Sequence, residues 1–312
     1  MTVSDEFEEG MYKRKAIYMP FDQAIPSAYV VDFKNCIKCG KCAEFCPVNA
    51  VDLEKDDEQM TLKVGAIIVA TGFDLLNDKR IMRRYLSHPQ CITSLQLERL
   101  IENELAAGKV LKTPIGQRIK KIAFILCVGS RDPHLGVEYC SRVCCPYSIK
   151  EAVLLKKILP YLDIWIYYTD IRMSGRGFEE LYRNAMEMGI KFIRGKPGEV
   201  TVDSSGNIEL IAEDADTGYL LRNNVDLVIA CPALVPSEGT DKLADLLKIP
   251  LGADNFISEK HPKVNPVATF RGGIFAAGVA LGPKDIHDCV VEARAAASQV
   301  AEFIGDGKRV LD

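Results

Sequence analysis

Eight of the eleven cysteines in this 312-residue chain fall into two groups whose spacing suits iron better than disulfides. The first is Cys36-x2-Cys39-x2-Cys42-x3-Cys46-Pro47, the ligand run of a [4Fe-4S] cluster. A tight loop at Gly40 lets three sulfurs converge on one cube, while backbone N–H groups face the sulfides and stabilise the anionic cluster. A zinc knuckle is the alternative, although zinc sites usually pair two separated C-x2-C units. Residues 1–35 hold no Cys and no second run of this kind is present. Cys46 therefore either closes a single cluster with Cys36, Cys39 and Cys42, or belongs with a second run on another chain or upstream of Met1.

The second group is Cys127, Cys140, Cys144 and Cys145, in Cys127-Val-Gly-Ser-Arg131 and Tyr139-Cys-Ser-Arg-Val-Cys-Cys-Pro-Tyr-Ser-Ile-Lys-Glu151. The apolar run Ile122–Cys127 reads as a buried strand, and a helix is expected over 146–159. The four thiols then meet at the C-terminal edge of a parallel sheet, where ligands bind. Two readings stand: a second [4Fe-4S] cluster, which we favour, or small apolar residues packing a strand-to-helix turn. A catalytic nucleophile is the weaker idea, because His88, His134, His261 and His287 show no paired spacing.

A third signal is a pair of glycine turns, Val69-Ala-Thr71-Gly72 and Thr269-Phe-Arg-Gly-Gly-Ile-Phe-Ala-Ala-Gly278, the latter running on through Val279 to Gly282-Pro283-Lys284-Asp285-Ile286. In flavoproteins with two dinucleotide domains, the first such turn links the domains and the second brings a strand end and a helix start to the flavin pyrophosphate and ribitol. A purely structural role remains open for both turns. An FAD protein also needs a G-x-G-x-x-G turn for the ADP phosphates. None occurs here, which suggests the C-terminal portion of a longer flavoprotein. The segment after Ile122–Cys127 lacks a phosphate-binding fingerprint too, so NAD(P)H binding is not expected there.

The elements that must position these groups are those of an α/β chain. Residues 1–60 read as a partial ferredoxin-like [4Fe-4S] module, with an acidic hairpin-like stretch at 51–59. Residues 61–116 and 232–312 read as an FAD-domain portion, and 117–231 as an NAD(P)-domain-like α/β domain. Further strands are expected at 64–72, 163–169, 190–193, 199–202, 208–212, 225–231 and 273–277, and further helices near 79–86, 94–106, 176–188 and 287–304. The net charge is −4, from 39 Lys+Arg against 43 Asp+Glu. The one basic cluster, Lys79 to Arg84, is short and mixed with apolar residues, so no nucleic-acid partner is expected. No apolar run approaches a membrane span and no signal peptide opens the chain, which points to a reduced, cytoplasmic protein.

Taken together, Lys13 to Pro26, the Cys36 run, Val64 to Gly72, Cys127-Val-Gly-Ser-Arg131, Tyr139 to Lys150 and Gly282 to Ile286 resemble the A subunits of CoB-CoM heterodisulfide reductase and their bacterial relatives. The resemblance implies a thioredoxin-reductase-like FAD core with an inserted ferredoxin domain, acting in flavin-based electron bifurcation or confurcation. The partners it implies are iron-sulfur subunits B and C, a hydrogenase or formate dehydrogenase module, and the upstream half of the same flavoprotein. By that similarity Cys127, Cys140, Cys144 and Cys145 hold a [4Fe-4S] cluster near the flavin, and Lys150 approaches the isoalloxazine N5 edge. An ammonium there favours anionic reduced flavin and exchanges a proton with it; a solvated helix lysine is the alternative. Flavin reductases usually carry an acidic residue where this chain has Val279, and Gly282 to Asp285 would compensate with backbone donors and a helix start. Two other functions are weighed: a non-catalytic cluster-binding scaffold half of a split enzyme, and an NAD(P)H-dependent flavin reductase.

Overall fold

Lys121–Val128 is the longest strand of the computed structural model, and seven of its eight residues are buried. A strand with no solvated face needs neighbours on both sides and cover above and below, and that requirement organises most of the chain. The structure describes residues 2–55, 58–105, 108, 111–203 and 207–305. In chain order the strands begin β1 (Thr2–Ser4), β2 (Lys13–Lys15), β3 (Ile17–Tyr18), β4 (Val30–Val31), β5 (Ile67–Val69), β6 (Phe73–Leu75), β7 (Cys91–Thr93) and β8 (Lys121–Val128). They continue as β9 (Asp163–Tyr168), β10 (Lys191–Arg194), β11 (Val200–Val202), β12 (Ile208–Glu213), β13 (Leu220–Val225), β14 (Leu227–Pro232), β15 (Leu234–Pro236) and β16 (Ile274–Ala276). The α-helices are α1 (Lys41–Glu44), α2 (Lys79–Tyr85), α3 (Ser94–Leu100), α4 (Cys144–Ile158), α5 (Phe178–Glu187), α6 (Thr240–Leu247) and α7 (Ile286–Gly305). Among the described residues no helix is long and apolar enough to cross a membrane.

Two units result, Met1–Lys63 with Leu95–Lys109, and Val64–Ser94 with Val110–Asp312. The first has antiparallel pairs β1–β2 and β3–β4 and little apolar core, so charges and rings hold it. Buried Arg14 reaches Glu6 at 2.7 Å and Asp32 at 3.1 Å, with its guanidinium 3.7 Å from the Tyr18 ring centre. Arg99 of α3 lies 4.9 Å over Phe7, and the Asn103 amide donates to Glu8. No strand forms among the described residues of 51–59, so the expected hairpin-like stretch there is corrected. Its acidic residues leave no alternating apolar face to bury.

The second unit is built on a five-stranded parallel sheet, order β10-β9-β8-β14-β7. The run β8-α4-β9-α5-β10 is the expected β-α-β-α-β series, and α4 packs against β8 with Ile149, Ala152 and Leu155 buried. The other side of the sheet is covered by α2 and by the antiparallel meander β11-β12-β13, through Ile81, Tyr85, Ile208 and Leu210. Residues 225–231, expected as one strand, are divided. Val225 ends β13 of the meander and Leu227 starts β14 of the central sheet. Asp226 makes the break: its carboxylate accepts the N–H groups of Lys120 at 2.7 Å and Lys121 at 2.8 Å, tying the chain to the start of β8. A smaller parallel pair, β5 with β16, carries both glycine turns, and α6 and the β6–β15 pair are additions that the sequence pattern does not announce.

Replacing Asp226 by Ala leaves two strand-end N–H groups without their charged acceptor and should lower stability by about 1–2 kcal/mol. Urea unfolding reads this directly, and unchanged stability would show that water serves those donors as well.

Candidate functional site

In the first unit Cys36, Cys39 and Cys42 line one side of a cavity of about 410 Å³ whose other walls include Ile17, Val31 and Ile37. Gly40, with φ 71° ahead of the short α1, supplies the left-handed turn that brings Cys39 and Cys42 to the same space. The Lys38 N–H donates to Cys36 Sγ at 3.3 Å. Cys46 is not among the residues lining this cavity. Its thiol accepts the Ala50 N–H at 3.2 Å, and the backbone N–H groups that follow it hold its pKa below the ordinary thiol range. Thiols met by backbone N–H donors are the donor set that an anionic iron-sulfur cluster needs.

In the second unit Cys127 is the penultimate residue of β8, with φ 54°, and Cys144 and Cys145 open α4. All three are buried, and the Cys144 thiol hydrogen-bonds both Cys127 and Cys145. Cys144 therefore keeps its proton, pushed well up by its bonds to Cys127 and then Cys145. Cys127 falls to about 7, chiefly through the bond from Cys144 and further through the charges of Lys196, Arg131 and Arg172. Cys145 is lowered by the same Cys144 bond, and a backbone N–H at Arg172 also reaches its sulfur. The α4 N-terminus, with no side-chain cap, adds positive potential beside the two vicinal thiols. Cys140 stands at the half-buried edge of this group: its sulfur accepts the Arg142 N–H at 3.3 Å, and it acts with Cys127 on the same Arg131 guanidinium. Three thiols thus lie together in a pocket of fixed positive charge, with Cys145 Sγ also donating to the Asp170 carbonyl at 3.7 Å, an arrangement that a metal stabilises by displacing thiol protons.

The two glycine turns also come together. Val69 pairs with Ala276 in the parallel β5–β16 ladder, so Thr71-Gly72 and Gly278-Val279 leave the same edge, both glycines with positive φ. No side chain at Val279 can serve as the polar contact that flavin reductases have there. The carboxylate that reaches the turn is Glu292 of α7, which accepts the Gly278 N–H at 2.9 Å and pairs with buried Lys284 at 2.6 and 2.7 Å. Asp285 accepts the Asp288 N–H at 2.8 Å and so caps α7 at Ile286, as the sequence suggests. Gly282 and Lys284 are buried and Pro283 is half-buried. Arg142 bridges the thiol loop to this segment, donating to the Pro283 carbonyl at 3.4 Å and to Asp288 at 2.9 Å. Lys150 is exposed on α4, between one and two turns beyond Cys145.

Sequence reasoning misses Lys196, Arg131, Arg172 and Glu292. Arg131 is at least adjacent to the cysteine motif. Lys196, 69 positions from Cys127, and Glu292, 14 from Gly278, carry no local signal at all.

Residues 29–52 match the 4Fe-4S binding domain family. The chain is 43% identical over 298 residues to the A subunit of the H(2):CoB-CoM heterodisulfide,ferredoxin reductase of Methanothermobacter thermautotrophicus, covering 95% of this chain and 45% of that protein. It is 41% identical over 311 residues to the iron-sulfur A subunit of the CoB--CoM heterodisulfide reductase of Methanocaldococcus jannaschii, covering 98% and 47%. The chain spans about half the length of the curated relatives it matches. Among solved structures, thioredoxin reductase of T. acidophilum is similar with a TM-score of 0.45 and 13% identity over 76% of this chain and 65% of that one.

Glu292→Gln removes the partner of a buried ammonium, so we expect a loss of about 2–3 kcal/mol, with Glu292→Asp recovering part of it. Thermal unfolding of the two variants checks this; a Glu292→Gln chain as stable as the wild type would mean that Lys284 finds water instead.

Proposed function

We propose that this chain, a homologue of the heterodisulfide reductase A subunits over about half their length, is an iron-sulfur flavoprotein electron-transfer subunit. The observation that carries the reading is the meeting of Cys127, Cys144 and Cys145 at one sheet edge, with Arg142 tying their loop to the paired glycine turns. Cys127, Cys140, Cys144 and Cys145 are the ligands of one [4Fe-4S] cluster. Cys36, Cys39 and Cys42, with Cys46, are those of another. When bound, the clusters supply one-electron transfer and FAD converts between one and two electrons.

This chain's own residues then have distinct tasks. Thr71 and Gly72, with Gly278, Val279 and the segment Gly282, Pro283, Lys284, Asp285 and Ile286, form the flavin edge, and Glu292 offers there the carboxylate that position 279 lacks. Lys150 is the exposed cation assigned to hold or pass a proton at flavin N5. Backbone N–H groups of Lys38, Ala50 and Arg142 stabilise sulfur charge at Cys36, Cys46 and Cys140. By function we assign a cluster module to 1–60, a flavin portion to 61–116 and 232–312, and an α/β domain to 117–231, although 95–109 group with the first unit and β7 lies in the central sheet of the α/β domain. The relatives' names speak of H(2), ferredoxin and CoB-CoM heterodisulfide. By kinship this chain works in the cytoplasm in a bifurcating or confurcating complex with iron-sulfur subunits B and C, a hydrogenase or formate dehydrogenase module, and the upstream half of its own flavoprotein. It is active only with those partners.

One observation favours a variant of the ligand assignment. Cys46 lies outside the walls of the cavity that the other three cysteines line, so the alternative in which it serves a different cluster stays beside the single-cluster assignment.

Iron and sulfide analysis after anaerobic reconstitution tests the reading. Two complete clusters give about eight irons per chain, and Cys127→Ser should remove about four. An unchanged iron content in Cys127→Ser would refute the second cluster.

A further inference from the structure

Lys196 is a cation held beside the Cys127 group, and nothing in the motifs announces it. It follows β10 in a loop pinned on both sides. The Gly195 N–H donates to the Tyr168 carbonyl at 2.9 Å, and the Glu213 carbonyl closes so tightly over Gly195 that a Cβ has no room there. The next carbonyl, that of Pro197, accepts the buried Tyr85 hydroxyl at 2.8 Å. Between these anchors the Lys196 ammonium donates to the Cys127 carbonyl at 2.9 Å, while lying 5.6 Å from the centre of the Tyr85 ring.

We propose that Lys196 is a positioning residue for the Cys127 cluster: its hydrogen bond holds the strand end, and its fixed charge makes the iron bound there easier to reduce. The inference rests on the cluster assignment above and deepens it. Adding one electron makes an already anionic thiolate cage one charge more negative, and a cation in a poorly solvated wall stabilises that added charge most. The neighbouring Arg131 is less suited, since its guanidinium is spent on Asp170 at 2.7 Å. Lys196 makes no ion pair among the described residues. The charged groups that act on it are Cys127, Asp132 and Arg84, of which Arg84 opposes its charge. The bond to the Cys127 carbonyl serves a second purpose, because residues with a side chain enter the left-handed region only at a cost that surrounding contacts must offset.

The test is a dithionite titration of the full chain, reconstituted anaerobically with iron and sulfide and followed by electron paramagnetic resonance. The relevant signal is the one that disappears in Cys127→Ser. Lys196→Met and Lys196→Gln should each make that centre harder to reduce by about tenfold in the equilibrium constant, about 59 mV for one electron. Lys196→Arg should stay near the wild-type potential. Lys191→Met removes an equal charge from a cation already paired with Asp163 at 2.8 Å, and should leave the midpoint in place. Gln separates the two contributions, since it can still donate to the carbonyl but carries no charge.

A wild-type midpoint in Lys196→Gln overturns the proposal, as does an equal shift in Lys191→Met. Loss of the centre in all three Lys196 variants, Arg included, also overturns it, by showing that the residue is a strut and nothing more. If Cys127→Ser changes neither the iron content nor any signal, the cluster assignment itself has failed, and the Lys196 proposal falls with it for a reason distinct from the others.

Discussion

The constraint on which the larger unit depends is the abrupt end of the parallel ladder between β8 and β14. Ile125 pairs in register with Ala230, but the next pairing is Val128 with Pro232, so the ladder slips by one residue at Leu126 and Cys127. Pro232 has no N–H to donate, and a proline in a central strand is tolerated only where regular pairing stops. Released from the ladder, Cys127 takes φ 54° and its side chain meets the start of α4. A regular strand would alternate and direct residue 127 by the pleat alone. The irregularity is therefore what makes a buried β-strand end into a corner where thiols meet.

Once that corner exists, the rest of the chemistry follows from where backbone donors and fixed charges fall. The α4 N-terminus faces Cys144 and Cys145, a backbone N–H of Arg172 reaches Cys145, and the Arg142 N–H reaches Cys140. Each contact lowers the cost of negative charge on sulfur, and together they explain why three close thiols are tolerated in a buried site. Ser141 anchors the same loop, accepting the Leu234 N–H at 3.0 Å and meeting Ser130 Oγ at 2.8 Å. A loop fixed at both ends in this way can present its sulfurs with little reorganisation, which is the condition for fast electron transfer as well as for tight metal binding.

Legibility in the sequence varies with the range of the interaction. Ile122–Cys127, Asp163–Thr169 and the α4 segment are legible within two residues of their observed bounds, because continuous apolar runs and helical spacing are local signals. The division at Asp226 is not, since Val225 and Leu227 are both buried and apolar and only a carboxylate bond to residues 120 and 121 separates their sheets. The α6 helix escapes as well; its eight residues follow Gly239 and offer barely two turns of pattern. At the glycine turns, the absence of an acid at Val279 is plain, whereas its replacement from α7 by Glu292 is not.

By itself the amino-acid sequence determined the kinds of residue and their order: thiols at close, unequal spacings, glycines where the backbone needs positive φ, and apolar runs that commit the chain to an α/β sheet. Spacing along the chain is enough for these, because each depends on neighbours a few residues away. Only the tertiary structure decided which sulfurs touch, that Cys46 stands apart from the cavity of its own run, and that Lys196 and Glu292 serve sites far from them in sequence. Those outcomes depend on a slipped ladder and on loops pinned by distant carbonyls, and such contacts leave no trace in the pattern of residues that make them.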